Sequence, residues 1–87
     1  MEFEWDEGKS AANRAKHGVG FERVAECDWL NANRFRDERF DYGEPRALAY
    51  LYLGDRLYCC AYVLRNGKFR IMSFRKANRL EGRKYGR

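Results

Sequence analysis

The spacing of apolar and polar residues divides the chain into a helical first third and a strand-rich remainder. Asp6 can cap a helix that runs to about His17, because its carboxylate can accept free backbone N–H groups and Gly18 provides a stop. Apolar residues at helical spacing predict a second helix over residues 21–29. Both helices are expected to be short and amphipathic. The first would carry alanines on one side and polar residues on the other: Ala11, Ala12 and Ala15 against Lys9, Asn13 and Lys16.

From Arg46 the apolar period changes to two, which is typical of strands. Turn signals at Gly54-Asp55 and Asn66-Gly67 separate the strands, so consecutive antiparallel hairpins, a meander, are expected. The predicted strands are residues 46–53, 57–64 and 68–74, with a further strand at 33–37 that has less pattern to support it. Residues from Lys76 onward form a charged helical pattern. The sequence therefore predicts one α+β domain over residues 1–87, with two N-terminal helices, an antiparallel sheet and a C-terminal helix.

The register of the first hairpin decides which side chains share a face of the sheet. A three-residue loop would make one face wholly apolar, whereas a two-residue loop would mix the two sets, so the three-residue loop is predicted. The opposite face would then be a tyrosine face made of Tyr50, Tyr52, Tyr58, Cys60 and Tyr62. Two registers stay open for the second hairpin. A two-residue turn sets Tyr62 opposite Ile71 and Tyr58 opposite Arg75. A three-residue turn sets Tyr62 opposite Arg70 and Tyr58 opposite Phe74.

The charge of the chain is concentrated in its last quarter. The net charge is +5, and residues 64–87 contain nine lysines and arginines against Glu81 alone. A cationic segment of this kind attracts phosphate polymers through the release of counterions. The alternative is a solvated basic helix, or a surface that binds an acidic protein.

Composition also limits the compartment and the cofactors. The N-terminus is acidic where a signal peptide would be basic, and no apolar run approaches the roughly 18 residues of a membrane span, so a cytoplasmic protein without membrane contact is expected. The cysteines are odd in number and lack the CxxC spacing of zinc sites. Neither a disulfide framework, nor a metal site, nor another cofactor is predicted.

Candidate chemistry lies at the end of the last predicted strand. Arg70, Arg75, Lys76 and Arg79 are placed where guanidinium and ammonium groups could hold a phosphate and stabilise charge growing on it. Tyr58 and Tyr62 could stack on the bases of single-stranded RNA, although tyrosine also suits an exposed sheet face for structural reasons.

Two side chains are candidates for proton transfer. His17 is the only histidine, but a position directly before Gly18 favours a helix-capping role. Glu44 is an available carboxylate, but the neighbouring Arg46 favours an ion pair. The alternatives stay open from the residues alone.

Three separated motifs carry a family resemblance. The segments FEWDEGKSAANRAKHGVGFE, DERFDYGEPR and FRIMSFRKANRLEGRKY together resemble the BrnT toxins over nearly the whole chain. The resemblance implies a RelE-like fold and a ribonuclease toxin of a type II toxin–antitoxin system that cleaves mRNA and halts translation. It also implies a hetero-oligomer with a BrnA-like antitoxin, through which operator DNA would be contacted only indirectly. The basic residues that match its motifs are Arg70, Arg75 and Lys76, with His17 and Lys16.

The sequence thus predicts a metal-independent endoribonuclease. Arginine and lysine would stabilise the transition state, and His17 or Glu44 would transfer protons. The alternative is a non-catalytic module that binds RNA or an acidic protein with the same face.

Overall fold

The computed structural model describes residues 1–39, 41 and 43–87, so that Phe40 and Tyr42 of the DERFDYGEPR motif lie outside the described residues. The helical elements are α1 (Glu7–His17), a 3₁₀ helix (Phe21–Glu26) and α2 (Arg79–Tyr85). The strands are β1 (Phe3–Glu4), β2 (Asn33–Asp37), β3 (Arg46–Leu53), β4 (Arg56–Arg65) and β5 (Lys68–Lys76).

The five strands form one mixed sheet in the order β1-β5-β4-β3-β2. Strands β2 to β5 pair antiparallel in sequence order, whereas β1 pairs parallel with β5 through Phe3 opposite Phe69. The predicted α+β class is confirmed, and the expectation of a wholly antiparallel sheet is wrong. The extra strand is only two residues long, so it contains too few residues to display a strand period.

The two predicted N-terminal helices are not confirmed as a pair. Helix α1 follows the prediction, since the Asp6 carboxylate accepts from the Lys9 amide at 2.9 Å and Gly18 has a φ of 79°. The segment from Phe21 instead forms a six-residue 3₁₀ helix, preceded by Gly20 without a side-chain cap. At the other end of the chain, β5 continues to Lys76 and α2 begins only after the Asn78 cap.

The predicted register of the first hairpin is wrong. Its turn contains two residues, with Leu53 opposite Arg56 and Leu51 opposite Tyr58. Tyr58 and Tyr62 therefore lie on the same face as Leu51, and the predicted tyrosine face does not form. The prediction required one face to be wholly apolar, but this sheet packs apolar side chains on both of its faces.

The second hairpin combines a tight turn with a β-bulge. Asn66 and Gly67 have φ values of 52° and 76°, as a two-residue hairpin turn requires, and Tyr62 lies opposite Ile71. The bulge then shifts the register, so that Tyr58 lies opposite Lys76 and not opposite Arg75. As a result Arg75 faces the same way as Cys59, its partner on β4.

Apolar side chains cover both faces of the sheet. The inner face, with the side chains of Ala49, Tyr58, Cys60 and Tyr62, packs against the 3₁₀ helix and the segment that follows it to form the main core. The outer face carries a smaller core beneath α2: Tyr50, Leu57, Cys59 and Ala77, with Leu48, Tyr52 and Tyr85 packed against them.

Helix α1 attaches to the sheet through a polar side chain. Its alanines are exposed, and its buried residues are Ser10 and Asn13. The Asn13 amide donates to the carbonyl of Phe74 at 2.6 Å and accepts from the amide of Phe74 at 3.2 Å. Because β1 pairs with β5 only as far as Arg70, the Asn13 side chain replaces a neighbouring strand for the next part of that edge.

Candidate functional site

The outer face of the sheet brings several basic side chains together. Strand alternation together with the β-bulge, which lies between Arg70 and Ser73, places Arg70, Ser73 and Arg75 of β5 on this face, opposite Val63, Ala61 and Cys59 of β4. Helix α2 covers the end near Arg75, and the end near Arg70 is open to charged side chains from other segments. This face is the candidate functional site.

Arg75 is fixed in place by Glu81 of α2. Its Nη1 and Nη2 donate to the two carboxylate oxygens of Glu81 at 2.7 and 2.9 Å, and Nη1 also donates to the Lys76 carbonyl at 3.2 Å. The Tyr50 hydroxyl donates to the same carboxylate at 2.6 Å. A bidentate, charge-assisted pair of this kind fixes the guanidinium plane.

Glu81 also belongs to the N-terminal cap of α2. Its carboxylate accepts from the backbone amide of Asn78, while the Asn78 side chain accepts from the amide of Glu81, which is a capping box. The bonds from Arg75, and after them those from Tyr50 and the Asn78 amide, lower the pKa of Glu81 to about 2. Glu81 is therefore a carboxylate at every pH of physiological interest.

Aromatic contacts hold the rest of α2 on the sheet. The Tyr85 ring stacks on Tyr50 with centroids 4.1 Å apart and also contacts Phe35. Beyond the helix, the Arg87 guanidinium lies 4.1 Å above the Tyr52 ring. No described residue of α2 is buried, and Leu80 is 72% exposed. Docking thus depends on Glu81 and on these rings.

The other end of the outer face carries two ion pairs. Arg70 lies 3.8 Å from Glu4, and Arg65 binds Glu44 through two contacts of 2.6 and 3.1 Å. The hydrogen bonds from Arg65, aided by the charges of Arg46 and Arg70, lower the pKa of Glu44. A recess of about 490 Å³ adjoins Glu44, but most of its lining residues, among them Arg34, Arg36, Tyr62 and Leu64, belong to the inner face by strand register. The recess is therefore not part of the outer face.

The predicted site residues do not all meet on this face. The outer face carries Arg70 and Arg75, and Glu44 joins it by pairing with Arg65. Lys76 lies on the inner face opposite Tyr58. Lys16 and His17 end helix α1, and Arg79 begins α2 as an exposed residue. Within the described part of the chain, His17 makes no hydrogen bond or ion pair with the basic residues of the outer face.

The two tyrosines that were expected to stack on bases are buried in the main core. Tyr58 is 8% exposed and stacks on Phe74, and Tyr62 is 4% exposed and packs edge-on against Trp29. With the rings enclosed on the inner face, the geometric basis for a tyrosine platform is lost. The incorrect hairpin register is the source of this error.

Sequence reasoning missed Glu81, Tyr50 and Glu4 as members of the site. Glu81 could have been found, because Asn78 and Glu81 have the spacing of a capping box and Glu81 is the one acid in a basic segment. Tyr50 depends on the hairpin register, and Glu4 on a parallel pairing between distant segments. Neither has a local signal.

Within residues 1–39, 41 and 43–87, no group of three or more histidine, cysteine or acidic side chains could hold a metal ion. No helix in the same part of the chain is both long and apolar enough to cross a membrane.

The lowered pKa of Glu81 predicts an acid-sensitive contribution to stability. Its folded pKa of about 2 is below the usual 4.5, so its contribution is fully present above pH 4.5 and is lost as the pH falls toward 2. The difference in unfolding free energy between the wild type and Glu81→Gln should therefore shrink between pH 5 and pH 2, as measured by urea denaturation. Val24→Ala, a core substitution without a titrating group, should keep a constant deficit. A constant deficit for Glu81→Gln would contradict the prediction.

Comparison with known proteins identifies the family of the chain. The model of the BrnT family, described as the ribonuclease toxin BrnT of type II toxin–antitoxin systems, matches residues 5–81. A comparison with the curated proteins gives no match. The matched span includes Arg70, Arg75 and Glu81, and therefore the β5–α2 half of the outer face. The chain belongs to the BrnT family of ribonuclease toxins.

Proposed function

We propose that the protein is a cytoplasmic toxin that cleaves mRNA without a metal ion and so inhibits translation. The observation that carries the proposal is the fixed Arg75 on a basic outer face, with one edge of its guanidinium not bonded to any residue that the structure describes. A fixed cation at the surface can hold a phosphate of the RNA and so position the strand for reaction. By resemblance we also propose that the fold is of the RelE type.

Arg70 and Arg75 are proposed to hold different phosphates of one RNA strand. They are five residues apart on β5, so at about 3.3 Å per residue their Cα atoms are separated by at most about 16 Å. Cα atoms at that separation allow the two guanidinium groups to contact different phosphates of an extended single strand. Arg70, which lies close enough to Glu44 to act on its charge, would bind the scissile phosphate. Arg75 would hold another phosphate and so position the strand.

Glu44 is the proton acceptor that we propose for the 2′-hydroxyl. Its pairing with Arg65 keeps it ionised, which is the form that can take up a proton, and the charges of Arg46 and Arg70 act on it. In the proposed step the 2′-oxygen forms a bond to phosphorus, and the bond from phosphorus to the 5′-oxygen breaks. The proton of the 2′-hydroxyl passes to Glu44, and the 5′-oxygen takes a proton from water.

A BrnA-like antitoxin is the proposed partner. Its binding residues would be acidic and apolar, matching the arginines of the outer face and the exposed parts of Phe35 and Leu80. A toxin–antitoxin hetero-oligomer of this kind would block access of RNA to Arg70 and Arg75. Operator DNA would be bound by the antitoxin and contacted by the toxin only indirectly.

The experiment is cleavage of a synthetic single-stranded RNA by the purified chain in excess EDTA. We expect cleavage to persist and to leave 2′,3′-cyclic phosphate ends, because the 2′-oxygen is the nucleophile. DNA of the same sequence should remain intact, since it lacks that hydroxyl. RNA binding without cleavage would instead establish the non-catalytic module. Cleavage that EDTA abolishes and Mg²⁺ restores would contradict metal independence.

The same assay separates the two candidates for proton transfer. Glu44→Gln is expected to lower kcat by about 10²-fold, the low end of the usual range for a general base. His17→Gln should keep most of the activity, because His17 ends α1 and does not lie on the outer face. If His17→Gln lost activity and Glu44→Gln kept it, His17 would be the general base.

A further inference from the structure

We propose that Glu81 is a positioning residue that turns one edge of the Arg75 guanidinium outward to bind an RNA phosphate. The inference rests on the proposed function, because it assumes that Arg75 binds RNA. It assigns to α2 a part in the reaction that goes beyond covering the small core.

The hydrogen bonds of Arg75 divide its five N–H donors into two sets. Three donors are used, two by the carboxylate of Glu81 and one by the carbonyl of Lys76. Nε–H and the second hydrogen of Nη2 have no hydrogen-bond partner among the described residues, and they lie side by side along one edge of the planar group. This edge has the geometry that binds two phosphate oxygens at once. The Arg75 side chain is 32% exposed, twice the 16% of Glu81.

Glu81 has no capacity left for a chemical role of its own. One carboxylate oxygen accepts from Arg75 and from the Asn78 amide, and the other accepts from Arg75 and from the Tyr50 hydroxyl. Four bonds occupy the approximately four lone-pair sites of a carboxylate. Glu81 can therefore neither take up a proton readily nor turn toward a ligand, and what it can do is hold Arg75.

The position of Glu81 is fixed by two elements. The backbone amide of Asn78 holds the carboxylate at the start of α2, and Tyr50 ties it to β3. Arg75 itself comes from β5. The guanidinium is thus oriented relative to the sheet before any ligand arrives, which is the condition for positioning a substrate.

A measurement of RNA affinity distinguishes a positioning role of Glu81 from a role of its charge alone, because the two roles predict opposite changes in affinity for Glu81→Gln. Glu81→Gln raises the net charge by one, so a purely electrostatic role predicts tighter binding of RNA. Positioning predicts weaker binding, as for Arg75→Ala. The probe is a short RNA with 2′-O-methyl groups, which cannot be cleaved, titrated at several salt concentrations.

We expect Arg75→Ala to weaken binding about 10-fold or more, as loss of a charged contact does. Its slope of log affinity against log salt should fall by about 0.7, the value for one phosphate contact of a single strand. Glu81→Gln should weaken binding in the same direction and also reduce the slope. In the Arg75→Ala background, Glu81→Gln should cause no further loss, which is the non-additivity of two residues that act together.

Asn78→Ala is the matched control on the same helix. It removes the side-chain cap of α2 but leaves the Glu81–Arg75 pair, and its RNA affinity should stay within about twofold of the wild type. If Asn78→Ala weakens binding as much as Glu81→Gln does, the integrity of α2 is responsible and the inference is wrong. Unchanged or tighter binding by Glu81→Gln would also overturn it.

The design separates this inference from the proposed function. If Arg75→Ala alters neither binding nor cleavage, Arg75 does not lie in the site, and both proposals about it fail. If Arg75→Ala impairs both but Glu81→Gln impairs neither, the site stands and only the positioning role is refuted.

Discussion

Arg75→Ala is expected to lower the rate of RNA cleavage by about 10²-fold, because RNA that is no longer held by Arg75 would be misplaced relative to the reacting groups. The cost in stability should be much smaller. The guanidinium is partly exposed, and the Glu81 carboxylate that it leaves behind keeps the Tyr50 hydroxyl and the Asn78 amide as donors. We expect a loss of about 1 kcal/mol, nearer to that of a surface ion pair than to that of a buried one.

Cleavage of synthetic RNA and growth arrest at equal expression are the two measurements for Arg75→Ala. Arg14→Ala is the matched control, because Arg14 also forms a close ion pair, with Glu22 at 2.7 Å, but on the surface of α1. Arg14→Ala should keep full activity. Full activity of Arg75→Ala, with both proteins folded, would remove Arg75 from the site.

Asn13→Ala is expected to lower the unfolding free energy by about 3 kcal/mol or more. The substitution leaves three backbone groups without their side-chain partner: the amide and the carbonyl of Phe74 and the carbonyl of Val19. Each buried polar group left unsatisfied costs about 1 to 3 kcal/mol. At 4 to 8 °C per kcal/mol for a domain of this size, the melting temperature should fall by about 12 °C or more.

Thermal unfolding followed by circular dichroism measures this effect. Asn31→Ala is the control, since Asn31 is exposed and, among the residues that the structure describes, bonds only to Asp28 nearby in the chain. Its melting temperature should change by at most about 2 °C. A change equally small for Asn13→Ala would mean that α1 is not anchored through this amide.

The positions of helices and strands were largely predictable, because they depend on local signals. The Asp6 cap, the Gly18 stop and the Asn66-Gly67 turn all act within a few residues, and each forms as expected. The segment after Gly20 was predicted as an α-helix and is a 3₁₀ helix. There the local pattern gives the apolar spacing but not the hydrogen-bond type.

Faces and registers were not predictable to the same extent, because they depend on what packs against each side. The tyrosine face was inferred on the assumption of a single apolar face. A helix that docks through Tyr85 and Glu81 gives the sheet a second covered face, which cannot be read from the strands alone. For the same reason Asn13 was placed with the lysines of α1, although it is the residue by which α1 is anchored.

The basic residues of the site were found by their position at the end of β5, and Arg70 and Arg75 do share a face. Lys76 was grouped with them because it is adjacent in sequence, but adjacent residues of a strand point to opposite sides. The partner that fixes Arg75 is six residues further along the chain. Only the turn between β5 and α2 brings Glu81 back over the sheet.

The bond between Asn13 and Phe74 also bears on self-association. An amide side chain that occupies the edge of β5 leaves no free backbone pair at Phe74 for a strand from another molecule. In the part of the chain that the structure describes, the opposite edge of the sheet is β2, which is five residues long. Charged Arg34 and Arg36 flank its central Phe35, and short, charged edges resist edge-to-edge pairing with strands of other molecules. The amide of Asn13 at Phe74 and the charged β2 therefore both limit the growth of this sheet between molecules.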